Sequence, residues 1–310
     1  MNKISPLSGI WYAALAYIIW GFLPLYWKPL QHVGSGEILA HRIIWSFMFM
    51  MSVIAITGRW RQFTAGMSEL FSSKKNFLYV FAASVLISAN WLIYIWAVNT
   101  DHVVQASLGY YINPLVSVLL GVIVLKEKLD MWQIISFILA GAGVLFLTYQ
   151  FGSFPWVSLS LAISFGVYGL AKKMANYDSV LGLAYETMLV APFALLYAIF
   201  NAVNGDQPVM GGSASSFILL LGAGIVTAVP LLCFAQAARK ISLTMIGFMQ
   251  YIAPSLMLIL GVLLYHESFS HTHAVAFTLI WTALFIFSVS RITKHTRLKK
   301  LNKEKAAKVS

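Results

Sequence analysis

The chain has 310 residues, of which 60% are hydrophobic and only 10% charged, against about 25% charged in a soluble globular protein. The formal net charge is +11 and there is one cysteine, Cys233. That composition excludes a pair of soluble domains, and a single cysteine excludes a disulfide framework or a cysteine metal site.

Runs of about 20 apolar residues, enough to cross a hydrocarbon core of about 30 Å, recur along the chain. We read spans at 9–30, 37–57, 77–98, 103–125, 131–149, 155–173, 180–201, 216–238, 243–265 and 272–291. Helices satisfy their own backbone hydrogen bonds in lipid, whereas barrel strands would show short alternating segments. The expected fold class is therefore all-α and integral to the membrane, with ten transmembrane helices. The first span follows only Met1–Ser8, lacks an A-x-A cleavage site and precedes nine others, so it reads as an anchor and not a signal peptide.

The positive charges give the spans a direction. With a cytoplasmic N-terminus, nineteen of the 21 Lys and Arg fall on inner segments or in the tail from Arg291 onward; the other two are Lys28 and Arg42. The positive-inside rule then places both termini in the cytoplasm. This placement argues against nucleic acid as the partner, and leaves the basic tail in water or on anionic headgroups.

A shift of 140 overlays the two halves: Tyr111 falls on Tyr251, Pro114 on Pro254, Gly121 on Gly261 and Glu127 on Glu267. Five spans per half is an odd number, so the halves are expected in opposite orientations. The expected organisation is 1–150 as a first five-helix repeat, 151–292 as a second, inverted repeat, and 293–310 as a basic cytoplasmic tail. Inverted repeats are common in secondary transporters; a duplication that merely built a stable bundle is the alternative.

Pro114 and Pro254 each lie about 11 residues into a span, near the midplane. Proline removes a backbone donor, and matched interruptions of this kind point to a transport site or to packing kinks. Gly21, Pro24, Gly166, Gly169 and Pro230 are further breaks. Trp20, Asn90, Trp91, Tyr94, Tyr110, Tyr111, Asn113, Tyr168, Gln236, Gln250 and Tyr251 cluster at similar depth and are the candidate solute-binding residues. Amides in hydrocarbon need partners and so face the bundle interior. Ionisable residues within spans are rarer: Glu37, His41 and Arg42 in the second, and Glu186 in the seventh, opposite His41 at a shift of 145. Glu37 and His41 share a face and are placed to pair. His41 and Glu186 are candidate proton-coupling stations, but sit at different depths; snorkelling of Arg42 to the outer interface is the alternative. Glu127 and Glu267 read as structural end residues, Cys233 as a packing residue. His271 and His273 do not share a helix face, and no metal site is expected.

The segments "GIWYAALAYIIWGFLPLYWKPL" (9–30), "EILAHRIIWS" (37–46), "ANWLIYIWAVN" (from Ala89) and "ASLGYYINPL" (from Ala106) resemble the EamA-type permeases of the drug/metabolite transporter superfamily, within them the RarD group. The resemblance covers all but the tail. It implies a ten-helix inverted repeat in the bacterial inner membrane and a central cavity lined by spans 1, 3, 4, 6, 8 and 9. Because Asn90 overlays Pro230 and Asn113 overlays Ala253, the cavity is expected to be asymmetric in its polar groups.

The expected function is a secondary active transporter of small organic metabolites or amphipathic drugs working by alternating access, with proton coupling open. The alternative is a membrane enzyme acting on a lipid-like substrate. The ten Asp and Glu are scattered, and no H-E-x-x-H, G-x-S-x-G or P-loop is present. The expected partners are a small solute, the bilayer and protons, with no nucleic acid and no cofactor; the oligomeric state is left open.

Overall fold

The computed structural model describes residues 6–100, 102–152, 154–175, 177–204, 213–264, 266 and 270–307. Lys3, Glu267 and the end of the tail, Lys308 included, lie outside the described residues. Among those described, all regular structure is helical: α1 (Pro6–Trp27), α2 (Ser35–Ile56), α3 (Trp60–Ser72), α4 (Lys74–Asn99), α5 (Val103–Ile123), α6 (Met131–Phe151), α7 (Trp156–Met174), α8 (Ser179–Asn204), α9 (Ala214–Lys240), α10 (Leu243–Gln250), α11 (Ile252–Leu264) and α12 (His271–Ala307).

Nine stretches of these residues are long and apolar enough to cross a membrane, with α10 and α11 counting together as one. The expected span at 155–173 forms α7, which is not among the nine. It carries Ser158, Ser160, Ser164, Lys172 and Lys173 and packs against α4, α5, α9 and α10. A helix enclosed by protein needs less apolar surface than one facing lipid. Helix α3 was not expected, since its segment carries Arg61 and Glu69 and reads as a loop; it is amphipathic and buries Phe63 and Leu70. Helix α12 continues past the expected span into the tail as far as Ala307.

Local chemistry sets several helix ends. Asp130 and Gln133 form a reciprocal capping box at the start of α6, and Gly152 ends it in the left-handed conformation with φ 73°. The Ser73 and Ser242 hydroxyls accept backbone N–H groups at the starts of α4 and α10.

The main packing runs between the halves of the chain. Helix α1 packs on α9 and α11, α2 on α8 and α9, α4 on α7 and α8, α5 on α7 and α10, and α6 on α12. Exchange α1 with α7, α2 with α8, α4 with α9, α5 with α10–α11 and α6 with α12, and this set maps onto itself. Backbone geometry repeats too. Lys126 (φ 57°) and His266 (φ 53°), 140 residues apart, are the non-glycine residues with positive φ among those described.

The expected helix breaks behave unequally. Helix α11 begins at Ile252 after an interruption at Tyr251, and Pro254 can give no N–H to the Gln250 carbonyl. Pro114, by contrast, lies inside an unbroken α5, Gly21 and Pro24 inside α1, Gly166 and Gly169 inside α7, and Pro230 inside α9. One missing donor does not end a helix when neighbouring helices support it. Gly21 serves close packing instead: a Cβ there would meet the Leu256 side chain at 2.8 Å.

Candidate functional site

A cleft runs between the halves, lined by Tyr17, Trp20, Leu23, Pro24 and Trp27 of α1, Arg42 of α2, and Asn90, Trp91 and Tyr94 of α4. Gly109, Tyr110 and Asn113 of α5, Leu161 and Phe165 of α7, and Gln250, Ala253, Pro254 and Met257 at the α10–α11 break complete it. From Tyr17 to Trp27 is ten residues of helix, or about 15 Å. The expected residues Trp20, Asn90, Trp91, Tyr94, Tyr110, Asn113 and Gln250 meet here.

Four others do not line it, for reasons of helical phase. Tyr111 follows Tyr110 by about 100° around the helix and packs edge-on against Phe277 at 5.2 Å. Tyr251 follows Gln250 and turns into the cluster around Ile112 and Ile280. Tyr168 lies beneath the cleft, stacked on Phe234 at 5.7 Å. Gln236 is on α9, which contributes no lining residue; the second span contributes instead, through Arg42. Nine residues separate Gln236 from Thr227, about two and a half turns, so the two point to opposite sides. Thr227 is the one that faces α2.

Arg42 does not snorkel. It is 5% exposed, its guanidinium carbon lies 4.7 Å from the centroid of Trp27 and 4.3 Å from that of Trp91, and Nε donates to Thr227 Oγ1 at 3.2 Å. Contact with both indole rings holds the guanidinium in place. Asn90 ties α4 to α7, its Nδ2 donating to the Leu161 carbonyl at 2.8 Å and to Ser164 Oγ at 2.9 Å. Tyr94 and Tyr110 meet edge to face at 5.6 Å. Among the buried polar atoms of the lining, Asn113 Oδ1 has no hydrogen-bond partner among the described residues, while Tyr17 and Gln250 are hydrogen-bonding neighbours of each other.

The floor of the cleft is closed by aromatic packing, to which the lining residues Trp20 and Phe165 contribute. Trp20, Phe165, Tyr168 and Phe234 form an aromatic plug with centroids 5.4–5.8 Å apart. Beneath the plug come polar ties between elements. Lys172 and Glu186 pair at 2.6 Å, with side chains 5% and 4% exposed. Lys173 Nζ donates to the Ala238 and Ile241 carbonyls. Glu127 accepts the N–H groups of Leu243 and Thr244. Asp178 bridges Arg59 and Arg239. Lys172 and Lys173, counted among the inner-segment charges, are thus structural ties inside the bundle.

The expected coupling residues are not in the cleft, apart from Arg42. His41 is buried and its Nδ1 accepts from Trp45 Nε1 at 3.1 Å; Glu37 is an electrostatic neighbour of His41. Glu186 lines a second, smaller cavity between α2, α4, α8 and α9 with Ser46, Ser84, Ser88 and Thr187, and Trp91 separates that cavity from the cleft by lining both. Beyond Lys172, Tyr168 is the hydrogen-bonding neighbour of the Glu186 carboxylate.

Sequence reasoning missed Tyr17, Trp27, Thr227 and Lys172. A signal existed for the first two: Tyr17, Trp20, Pro24 and Trp27 recur at i, i+3, i+7 and i+10, one helix face. No comparable signal marks Thr227 or Lys172.

The model of the EamA-like transporter family matches twice, over residues 7–149 and 155–289. The chain is 48% identical to the uncharacterized transporter YojE of Bacillus subtilis (strain 168), covering 94% of this chain and 97% of that one. It is 42% identical to the protein RarD of Escherichia coli (strain K12), over 97% of this chain and all of that one. A solved crystal structure aligns with a TM-score of 0.67 over 92% of this chain and 98% of its own, at 17% identity, and so speaks for the fold alone.

Proposed function

Since the chain belongs to the EamA-like transporter family, we propose that it is a secondary active transporter that carries small organic solutes by alternating access through the aromatic cleft. Family and relatives make it a multi-pass transporter of the inner membrane, and not an enzyme. The proposal adds the site, the mechanism and the topology.

The observation that carries it is the asymmetry of the interface between the halves. One end is a cleft with tryptophan and tyrosine faces and an unfilled hydrogen-bond acceptor. The other is an aromatic plug over a layer of ion pairs and capped helix ends. Such an arrangement is one of the two states that alternating access requires. The exchange symmetry of the helix packing supports a second state of similar energy, closed where this one is open.

We place ten crossings in the membrane by adding α7 to the nine apolar spans, in two inverted units of five, residues 1–150 and 151–292. Both termini are then cytoplasmic, the charge-rich closed end faces the cytoplasm and the cleft faces outward. Glu186, buried beside Lys172, is the residue best placed for a proton-coupling role; His41, held by Trp45, is the weaker candidate.

Flux tests this reading. Protein reconstituted in proteoliposomes should accumulate or release members of a broad metabolite panel in response to an imposed solute or pH gradient. No flux of any member above protein-free vesicles would refute it.

A further inference from the structure

Among the described residues, Arg42 is the one lining the cleft that is formally charged. Arginine does not shed its proton in a protein, so it cannot escape burial by becoming neutral as lysine can. A buried cation without a counter-charge is costly in a membrane protein. The ion pairs among the described residues, Arg59–Asp178, Lys172–Glu186 and Arg239–Asp178, all lie at the closed end and none takes Arg42. The two indole rings and Thr227 Oγ1 hold the guanidinium in place, but none carries negative charge. With Nε committed to Thr227, the two terminal nitrogens of the fork are the donors left for a ligand.

We propose that the solute is a small organic anion whose carboxylate or similar oxyanion binds the terminal nitrogens of Arg42 between Trp27 and Trp91. The assignment rests on the cleft being the solute pathway. Two oxygens matched to a planar fork give a charge-assisted pair that supplies the missing counter-charge. One other unfilled position describes the rest of the molecule. Asn113 Oδ1 is a buried acceptor without a partner among the described residues, so the solute carries a hydroxyl, amide or ammonium donor. The aromatic walls suit an apolar body. An anionic lipid headgroup would offer Arg42 the same oxyanion, and the test separates the two sources.

The test uses the full-length protein in phosphatidylcholine nanodiscs and three probes of matched shape: mandelate, mandelamide and 2-amino-1-phenylethanol. All three carry a phenyl ring and a hydroxyl; the charges are negative, neutral and positive. Mandelate should bind at least tenfold more tightly than the other two. Arg42→Gln should abolish that preference without lowering the melting temperature of the unliganded protein, because it removes an uncompensated charge; Arg42→Lys should keep part of it. Equal affinities for the three probes, no saturable mandelate binding, or an unchanged preference in Arg42→Gln would overturn the proposal. Phosphatidylglycerol displacing mandelate would also overturn it, by giving the site to a lipid. The transporter reading fails separately: mandelate binding that depends on Arg42, with no flux of any solute in proteoliposomes, refutes transport and leaves the anion site standing. Flux that is indifferent to Arg42→Gln does the reverse.

Discussion

The Glu127 carboxylate accepts the N–H of Leu243 on one oxygen at 2.7 Å and that of Thr244 on the other at 2.8 Å, joining the segment between α5 and α6 in one half to the first turn of α10 in the other. It fills donors that a helix start leaves empty and adds negative charge at the positive end of the helix dipole. Gly121 makes room for it: a Cβ there would lie 2.9 Å from Glu127 Oε2 and 3.1 Å from Thr244 Oγ1. Glu127→Ala should cost about 1–2 kcal/mol of stability, as loss of a good cap does, and should open the closed end. Maleimide labelling of Ser242→Cys should then quicken in the Glu127→Ala background, with Gly121→Val acting the same way. Unchanged labelling in both would show that this contact is a cap and not a latch.

Lys172 and Glu186 are buried as a pair, and removing either partner leaves the other charge uncompensated. Lys172→Met and Glu186→Gln should each destabilise by about 3–5 kcal/mol, while the double variant should recover most of the loss. Thermal unfolding of the four proteins in detergent measures this. A proton-coupling role for Glu186 further requires the pH dependence of flux to disappear in the double variant; if it persists, Glu186 is a structural residue only.

Asp178, in the turn before α8, is partly buried, which acts to raise its pKa. The hydrogen bond and charge of Arg59, the Val180 N–H and the charge of Arg239 outweigh that effect and hold it below the ordinary carboxylate value. Its folded-state pKa is thus lower than its unfolded-state value of about 3.9. The stabilisation is present above pH ~4 and lost as pH falls through the folded-state value. Asp178→Asn should lower the melting temperature near neutral pH and flatten its decline below pH ~4. Parallel melting curves against pH for the two proteins would contradict this.

Asn90 gives two hydrogen bonds to α7, each worth about 1 kcal/mol net. Asn90→Ala should lose about 2 kcal/mol in thermal unfolding and reduce flux, because the α4 and α7 walls of the cleft are no longer tied. Full flux in a destabilised Asn90→Ala protein would limit the residue to packing.

Most of the helices could be read from sequence because apolar length is a property of the chain itself. Helix α3 escaped because its buried Phe63 and Leu70, two turns apart, sit among charged residues. Around the cleft, residue type was a better guide than residue direction. The pairs Tyr110/Tyr111 and Gln250/Tyr251 were both chosen whole, yet neighbours on a helix diverge by about 100° and one of each pair faces away. The setting of Arg42 was the least legible. Trp27, Arg42, Trp91 and Thr227 come from four helices, and nothing local joins them.

The central claim is that the cleft between the halves opens to each side of the membrane in turn. Asn113 lines the cleft and is 8% exposed, and Cys233 is the chain's one native cysteine. In a Cys233→Ser background, Asn113→Cys should be modified by a membrane-impermeant maleimide in both right-side-out and inside-out vesicles. Modification from one face only, under every gradient applied, would contradict the account.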